Sequence, residues 1–152
     1  MQTITKDKFL KLKSGTDVRG VAVETSTEKI ELTDEVVEAI CAGFVRWYRD
    51  KFGKNELSIA VGHDSRISAD RIKNAAIKAF LGEGVHVYDC GLATTPSMFM
   101  SIVMGVKADA SLEITASHHP YQRNGLKFFT PNGGLEAVSY THLRAHETGA
   151  YL

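Results

Sequence analysis

The segment "EITASHHPYQRNGLKFF" places a serine, two histidines and a lysine close together in a pattern unlike ordinary core or loop sequence. A short apolar run ends at Ile114, and Ser117 and His118 follow it closely. A proline and an Asn-Gly turn signal then lead into a second apolar run that carries Lys127. A serine hydroxyl becomes reactive when a base removes its proton, and it can also carry a group for transfer. The segment therefore indicates hydrolysis, metal binding or group transfer.

Transfer of a phosphoryl group suits these residue types well. A phosphoserine carries about −1.5 to −2 charges and three acceptor oxygens, so it needs backbone N–H donors and nearby cations. His118 and Lys127 lie in the same segment as Ser117, and Arg19 in "GTDVRG" begins an earlier strand pattern. Taken singly, each residue also has an ordinary structural explanation, as a turn former, a polar loop residue, an edge-strand charge or a surface ion pair.

Two other kinds of site are weaker interpretations of the same residues. A serine hydrolase of the nucleophile-elbow type needs Gly-x-Ser-x-Gly, and no glycine flanks Ser117. A zinc site could draw on His63, His118 and His119, but adjacent histidines on an extended loop are expected to point apart. No Glu or Cys stands at ligand spacing beside them.

The apolar residues change their period repeatedly along the chain, which predicts strands alternating with helices. The strand patterns are "GVAV" (20–23), "LSIAVG" (57–62), "VHVYDCG" (85–91), "ASLEIT" (110–115) and "LKFF" (126–129). Helices are expected to begin after the caps Thr33 and Ser68 and at Thr95-Pro96. The first is expected to end at Gly53 and the second at Gly82 and Gly84.

The helices should each bury an apolar face. The core residues expected are, in the first helix, Val36, Val37, Ile40, Cys41, Phe44, Val45 and Tyr48; in the second, Ile72, Ala75, Ala76, Ala79 and Phe80; and in the third, Met98, Phe99, Ile102, Val103 and Val106.

This order of elements predicts an α/β fold, with a mixed, mostly parallel sheet sandwiched by helices. In such folds ligands gather beyond the carboxyl ends of the strands. Three polar loops follow strands here, "HDSRIS", "DCGLATTP" and "ASHHPYQRNG". Asp64 and Arg66 in the first of these are expected mainly to hold neighbouring loops together.

Composition excludes several classes of function. Lysine plus arginine and aspartate plus glutamate both number 18, so the zero net charge predicts neither a nucleic-acid nor a membrane partner. No apolar run is long enough for a membrane helix, and the polar N-terminus does not resemble a signal peptide. Cys41 and Cys90 fit no metal or redox spacing and are expected to be buried, inert thiols. We expect a cytoplasmic protein.

The last residues differ in character from the rest. Residues 138–148, "VSYTHLRAHET", correspond to the translation of a transposase-end sequencing adaptor. We therefore expect one domain over residues 1–136 and a non-native tail over 137–152, which contains His142 and His146. The natural protein is expected to continue beyond this point.

Four motifs in order resemble those of the α-D-phosphohexomutases. "TASHHPYQRNGLKFF" resembles the family's phosphoserine loop, T-A-S-H-N-P followed by N-G-x-K. "SGTDVRGVA", "AVGHDSRIS" and "VYDCGLATTP" resemble its D-x-R-G, V-G-x-D-x-R-x-S and D-x-G-x-x-x-T-P segments. The match covers residues 14–129 and looks most like the first domain of the phosphoglucomutase/phosphomannomutase branch.

The resemblance implies a mechanism and a set of site residues. Ser117 would pass its phosphoryl group to a hexose phosphate, and a hexose 1,6-bisphosphate would be the intermediate and activator. Arg19 and Lys127 would surround the phosphoserine, Lys127 as a candidate general acid or base, and His118 would line the same site. The family uses Mg²⁺, which would meet this chain only through the phosphate on Ser117.

The sequence departs from the family pattern in two respects. His119 stands where the family usually has Asn, which changes how the loop is braced. The metal loop of D-x-D-x-D type and the sugar-binding domains do not occur, so the chain alone is expected to be inactive and to need the missing C-terminal domains. Arg19→Ala and Lys127→Ala are expected to lower rate more than stability. The alternatives are a non-catalytic phosphate- or partner-binding module and a phosphoglucosamine mutase fragment.

Overall fold

The computed structural model describes residues 5–135 of the chain. The four helices are α1 (Lys6–Leu12), α2 (Asp34–Phe52), α3 (Ala69–Gly82) and α4 (Thr95–Val103). The seven strands are β1 (Lys13–Ser14), β2 (Asp17–Val21), β3 (Ser58–His63), β4 (His86–Leu92), β5 (Ala110–Ile114), β6 (Arg123–Thr130) and β7 (Gly133–Gly134). The tail predicted to be non-native, 137–152, lies outside the described residues.

The strands form one mixed sheet in the order β1-β2-β6-β5-β3-β4, and β7 pairs with β6. Strand β3 is parallel to both of its neighbours, β4 and β5, which gives the sheet a parallel core. Strand β6 then runs antiparallel between β5 and β2. The predicted fold class, α/β with helices on both sides of a mixed sheet, is confirmed.

Alternation along the strands assigns the helices to the two faces of the sheet. Leu112 and Ile114 belong to the main core, which also contains the apolar faces of α2 and α3. The intervening residue Ser111 points the other way, and its Oγ donates to Met98 O of α4 at 2.7 Å. Hence α2 and α3 cover one face, and α4 covers part of the other.

Helix α2 forms where the sequence predicts it and for the expected reasons. Thr33 caps it by accepting from the Val36 amide, and Gly53 ends it in a left-handed conformation. All seven core residues expected from its period are buried. Among them Phe44 stacks on Phe128 of β6, with ring centroids 4.4 Å apart. A buried side chain of this size stabilises the fold by about 1.5–3 kcal/mol.

Helix α3 also begins after the expected residue, Ser68, but the capping mechanism predicted for it is wrong. The Ser68 side chain makes no cap hydrogen bond. Its Oγ instead accepts from Asn124 Nδ2 at 2.9 Å. The Ser68 hydroxyl is therefore bonded to the buried Asn124 amide instead of capping the helix, and this bond links the start of α3 to β6.

The burial predicted for α4 is largely wrong. Of the five apolar residues assigned to its inner face, only Met98 is fully buried, while Val103 and Val106 are exposed. The helix begins in a capping box between Thr94 and Ser97 and packs on the sheet through that end. It is the sole helix over its face among the described residues, so no second layer covers its outer side.

The first helix and the two cysteines differ in part from the sequence predictions. Helix α1 was not predicted, although it buries Phe9 and Leu12. Cys41 is buried as expected, but Cys90 is exposed because it lies on the edge strand β4. No helix within residues 5–135 has both the length and the apolar character needed to cross a lipid bilayer.

Candidate functional site

The predicted polar loops meet beyond the carboxyl ends of the parallel strands. The loop after β3 contacts the loop after β5, because Thr115 Oγ1 donates to Asp64 Oδ2 at 2.7 Å. The loop after β4 joins them, since Ala93 N donates to His63 O at 2.9 Å. Parallel strands end at one edge of the sheet, so separate segments converge there.

Ser117 stands at the tip of this loop cluster in a strained backbone conformation. Its φ of +53° lies in the left-handed region that a non-glycine residue adopts only where the surroundings hold it. The Ser117 amide donates to Thr115 Oγ1 at 3.0 Å, and that hydroxyl donates to Asp64 Oδ2 at 2.7 Å. The serine side chain remains exposed, so the loop presents its hydroxyl outward.

Arg66 ties this loop to the end of β3. Its guanidinium donates to four backbone carbonyls, those of Ser117, His119, Pro120 and Arg123, at 2.8–3.1 Å. Asp64 orients Arg66 in turn, accepting from its Nε at 3.3 Å. The expectation that these two residues hold the loops together matches this geometry. A side chain with four such bonds rigidifies the backbone beside Ser117.

On strands β2 and β6, beside Ser117, two cationic side chains share one carboxylate. Arg19 Nη2 donates to Asp17 Oδ2 at 2.8 Å and to Ser117 Oγ at 3.4 Å. Lys127 Nζ donates to the other oxygen, Asp17 Oδ1, at 3.0 Å. Arg19 is 9% exposed, and its Nη1 is buried with no hydrogen-bond partner among the described residues. The guanidinium that contacts the serine hydroxyl through Nη2 therefore has an unused donor in Nη1.

Gly125 makes this approach of Arg19 possible. It lies opposite Arg19 in the β2–β6 pair. A Cβ at this position would overlap the Val18 carbonyl and come within 2.8 Å of both Arg19 Cδ and Thr115 O. The glycine in the Asn-Gly pair thus leaves the space through which the guanidinium reaches Ser117.

The two histidines of the loop do not point apart, which corrects the expectation stated above. The rings of His118 and His119 stack with centroids 5.1 Å apart, because the loop turns tightly instead of staying extended. Burial of the His119 ring and the positive charge of Arg19 and other neighbours lower its pKa. The arginines among these causes, Arg19, Arg66 and Arg123, give the loop a positive potential, which suits an anion.

The third histidine proposed for a zinc site lies in a separate environment. The Nδ1–H of His63 donates to Asp64 O at 2.7 Å. Across residues 5–135, no three His, Cys, Asp or Glu side chains gather as a metal site would require.

The predicted site residues therefore differ in how closely they approach Ser117. Arg19 contacts Ser117 directly, Lys127 is linked to it through Asp17 and Arg19, and His118 lies exposed next to it in the chain. Sequence reasoning missed Asp17 and Thr115. Asp17 and Arg19 are two apart on one strand, so strand alternation alone could have placed both on the same face.

Comparison with known families gives a match over most of the chain. The family model described as "Phosphoglucomutase/phosphomannomutase, alpha/beta/alpha domain I" matches residues 11–142. A solved structure of a phosphoglucomutase/phosphomannomutase family protein from Burkholderia thailandensis superposes with a TM-score of 0.76. The two chains are 22% identical, and the superposition covers 97% of this chain and 31% of the other. This similarity shows that the two chains share a fold.

Curated relatives are more similar in sequence. Phosphoglucosamine mutase of Pediococcus pentosaceus is 41% identical over 120 residues, and that of Leuconostoc citreum is 40% identical over 122 residues. Each alignment covers 78% of this chain and 25% of the relative. The chain thus spans about a quarter of the length of these relatives.

Proposed function

Because the chain belongs to the phosphoglucomutase/phosphomannomutase family and matches its domain I, we propose that Ser117 carries the transferable phosphoryl group of a hexose-phosphate mutase. The observation that supports this most directly is the contact between Ser117 Oγ and Arg19, whose second nitrogen is buried without a partner. A strained, outward-facing serine beside an unsatisfied cation is suited to holding a phosphate.

Arg19 would neutralise the phosphate and keep its oxygens in place. A buried guanidinium N–H without an acceptor costs free energy, and a phosphate oxygen would satisfy it. Because Asp17 already fixes the guanidinium plane, little reorganisation is needed when the phosphate arrives. Catalysis of phosphoryl transfer depends mainly on such positioning and on charge stabilisation.

Lys127 and His118 would complete the site from opposite sides. The Lys127 ammonium lies one carboxylate away from Arg19 and would supply a second positive charge or a proton. His118 is exposed at the mouth of the site, where it can contact a phosphate donor or carry a proton. Arg66 would keep the loop backbone fixed while the phosphoryl group leaves and returns.

The donor set fits Mg²⁺ only in part. The side chains in contact with the Ser117 hydroxyl and its carbonyl are cationic, so the phosphate itself would be this chain's ligand to the metal. When bound, Mg²⁺ would neutralise charge on the transferring phosphoryl group. Carboxylate ligands and the sugar-binding surface would come from parts of the protein outside this chain.

The substrate has two candidate classes. The relatives named above are phosphoglucosamine mutases, which favours glucosamine phosphates. The family description names phosphoglucomutase and phosphomannomutase, which favours glucose and mannose phosphates instead. Comparing the kcat/KM of the full-length protein on the three sugar 1-phosphates would decide between these classes.

Mass spectrometry of the full-length protein tests the carrier role. After incubation with a hexose 1,6-bisphosphate, we expect one added phosphate on Ser117. Ser117→Ala should abolish that mass and nearly all mutase activity while leaving the melting temperature close to that of the wild type. Ser65→Ala, an exposed serine on the adjacent loop, is the matched control and should keep both.

The same experiment separates the competing functions. Phosphate on another residue, or near-normal turnover by Ser117→Ala, would refute the carrier role. Binding of phosphate without any transfer would support the non-catalytic binding module. Labelling of Ser117 by a fluorophosphonate would favour a serine hydrolase.

A further inference from the structure

Glu113 is a buried carboxyl group directly beneath the site just described. It lies on β5 with 1% of its surface exposed. In the β5–β6 pair it stands directly opposite Lys127, so both side chains emerge from the same face of the sheet. An acidic residue in a fully buried strand is unusual and needs a partner or a neutral state.

The structure provides a space for this carboxyl group but no hydrogen-bond partner for one of its oxygens. Oε2 is buried and makes no hydrogen bond to any described residue. It lies over Gly62 of β3, where a Cβ would come within 3.0 Å of Oε2 and 2.6 Å of Met98 Sδ. Burial in these surroundings, together with the nearby Asp64 carboxylate, raises the pKa of Glu113 to about 8.

Lys127 therefore has carboxyl groups on two sides. Its ammonium bonds Asp17 Oδ1 at 3.0 Å, and no ion pair joins it to Glu113. The Asp17 carboxylate does not depend on the lysine alone, because Arg19 holds its other oxygen at 2.8 Å. If the ammonium moves away, the buried Asp17 carboxylate therefore still has Arg19 as its partner.

We propose that Glu113 is a positioning residue that sets the direction of the Lys127 ammonium. As a neutral acid, Glu113 leaves the ammonium on Asp17, beside Arg19 and Ser117. As a carboxylate, it draws the ammonium across the strand pair and away from the site. Its consequence for phosphoryl transfer rests on the proposed function, but the movement of Lys127 does not.

The electrostatics favour this exchange once Glu113 loses its proton. Oppositely charged residues directly opposite each other in an antiparallel pair attract, and attraction is stronger away from water. The other ionisable groups facing Glu113 are Asp64, whose charge opposes its ionisation, and Cys90, whose thiol pKa Glu113 helps to raise. Lys127 is thus the cation available on the opposite strand to compensate the new carboxylate.

Nuclear magnetic resonance on the 152-residue chain tests the movement directly. The probes are the Glu113 carboxyl carbon and the Lys127 Nζ signal, followed from about pH 5 to pH 10. We expect Glu113 to titrate with a midpoint near its raised pKa of about 8 and the Lys127 signal to shift with the same midpoint. In Glu113→Gln and Glu113→Met the Lys127 step should disappear.

Two results would overturn the proposal. One is a Glu113 carboxyl that titrates near the ordinary 4.5. The other is a Lys127 signal that does not follow Glu113, or that keeps its step in both variants. Because no turnover is needed, failure of the mutase proposal would leave this test intact.

A kinetic comparison in the full-length protein extends the test to function. The rate of phosphoryl transfer by the wild type should decline by at least about tenfold between pH 7 and pH 9.5. The reason is that the fraction of protein with protonated Glu113 falls by that factor as a group with a pKa of about 8 ionises. The decline should be absent in Glu113→Gln. An identical alkaline decline in the variant would show that Glu113 does not direct the catalytic lysine.

Discussion

At the level of single residues, contacts within the chain hold the charged groups around Ser117 in place. Arg19 is buried, paired with Asp17 and within 3.4 Å of the serine hydroxyl. The sequence predicted that Arg19→Ala would lower rate more than stability, but burial changes that expectation. Removing the guanidinium would leave Asp17 with Lys127 alone and would cost roughly 1–3 kcal/mol of stability as well.

Arg19→Lys separates catalysis from folding better than alanine does. A lysine keeps the charge for Asp17 but lacks the fork that reaches a second acceptor. Loss of one charged hydrogen bond corresponds to a phosphoryl-transfer rate about 10- to 100-fold lower. Stopped-flow transfer from labelled bisphosphate, with a melting curve, measures both effects. Arg49→Lys, whose guanidinium bonds Asn55 O and Glu83 away from the site, should lower stability without changing the transfer rate.

At the scale of elements, the β2–β6 pairing positions the site. Gly125→Ala should force β2 away from β6, because the new Cβ would meet the Val18 carbonyl and Arg19. We expect a loss of roughly 1–3 kcal/mol in unfolding free energy, from overpacking, together with slower phosphorylation of Ser117. Gly134→Ala is the matched control, since nothing lies within 4 Å of its added Cβ. Equal effects of the two substitutions on urea unfolding would contradict this explanation.

The connection between the β3 and β5 loops can be tested separately through Arg66. Arg66→Lys keeps a charge but cannot serve the four carbonyls that the guanidinium reaches. The amides of His119 and Arg123, which close turns in this loop, should then exchange hydrogen at least about tenfold faster. Arg71→Lys, whose guanidinium bonds the carbonyls of Ala22 and Leu32, should leave those two amides unchanged.

At the scale of the whole molecule, the buried acid Glu113 links stability to pH. The folded protein keeps this proton up to a pKa of about 8, while the unfolded chain loses it near 4.5. Stability contributed by the protonated acid is complete below pH 4.5 and is lost as pH rises towards 8. Glu113→Gln should therefore gain stability over the wild type as pH increases, by roughly 2–4 kcal/mol across that window.

Chemical denaturation at a series of pH values checks this expectation. The difference in unfolding free energy between Glu113→Gln and the wild type should be followed as a function of pH. Its absolute value is less informative, because the amide itself adds a contribution that does not depend on pH. If this difference in unfolding free energy does not change with pH, Glu113 is ionised in the folded protein at neutral pH.

Most of the architecture could be predicted from the sequence, because apolar periods, caps and glycines act locally. The α2 helix, the seven core residues expected in it and the succession of strands and helices along the chain follow from spacing, and the polar loops fall at strand ends as expected. The motifs around Ser117, Arg19 and Lys127 likewise identify the family without coordinates, because they occur in a fixed order along the chain.

Which side chains meet at the site depends on the three-dimensional fold. The exposure of α4 depends on how many layers cover its face, and the exposure of Cys90 depends on its strand lying at the edge. The sharing of Asp17 by Arg19 and Lys127, and the position of Glu113 opposite Lys127, depend on the register between strands distant in sequence. Local sequence carries no record of that register, because pairing is fixed by the packing of the whole sheet.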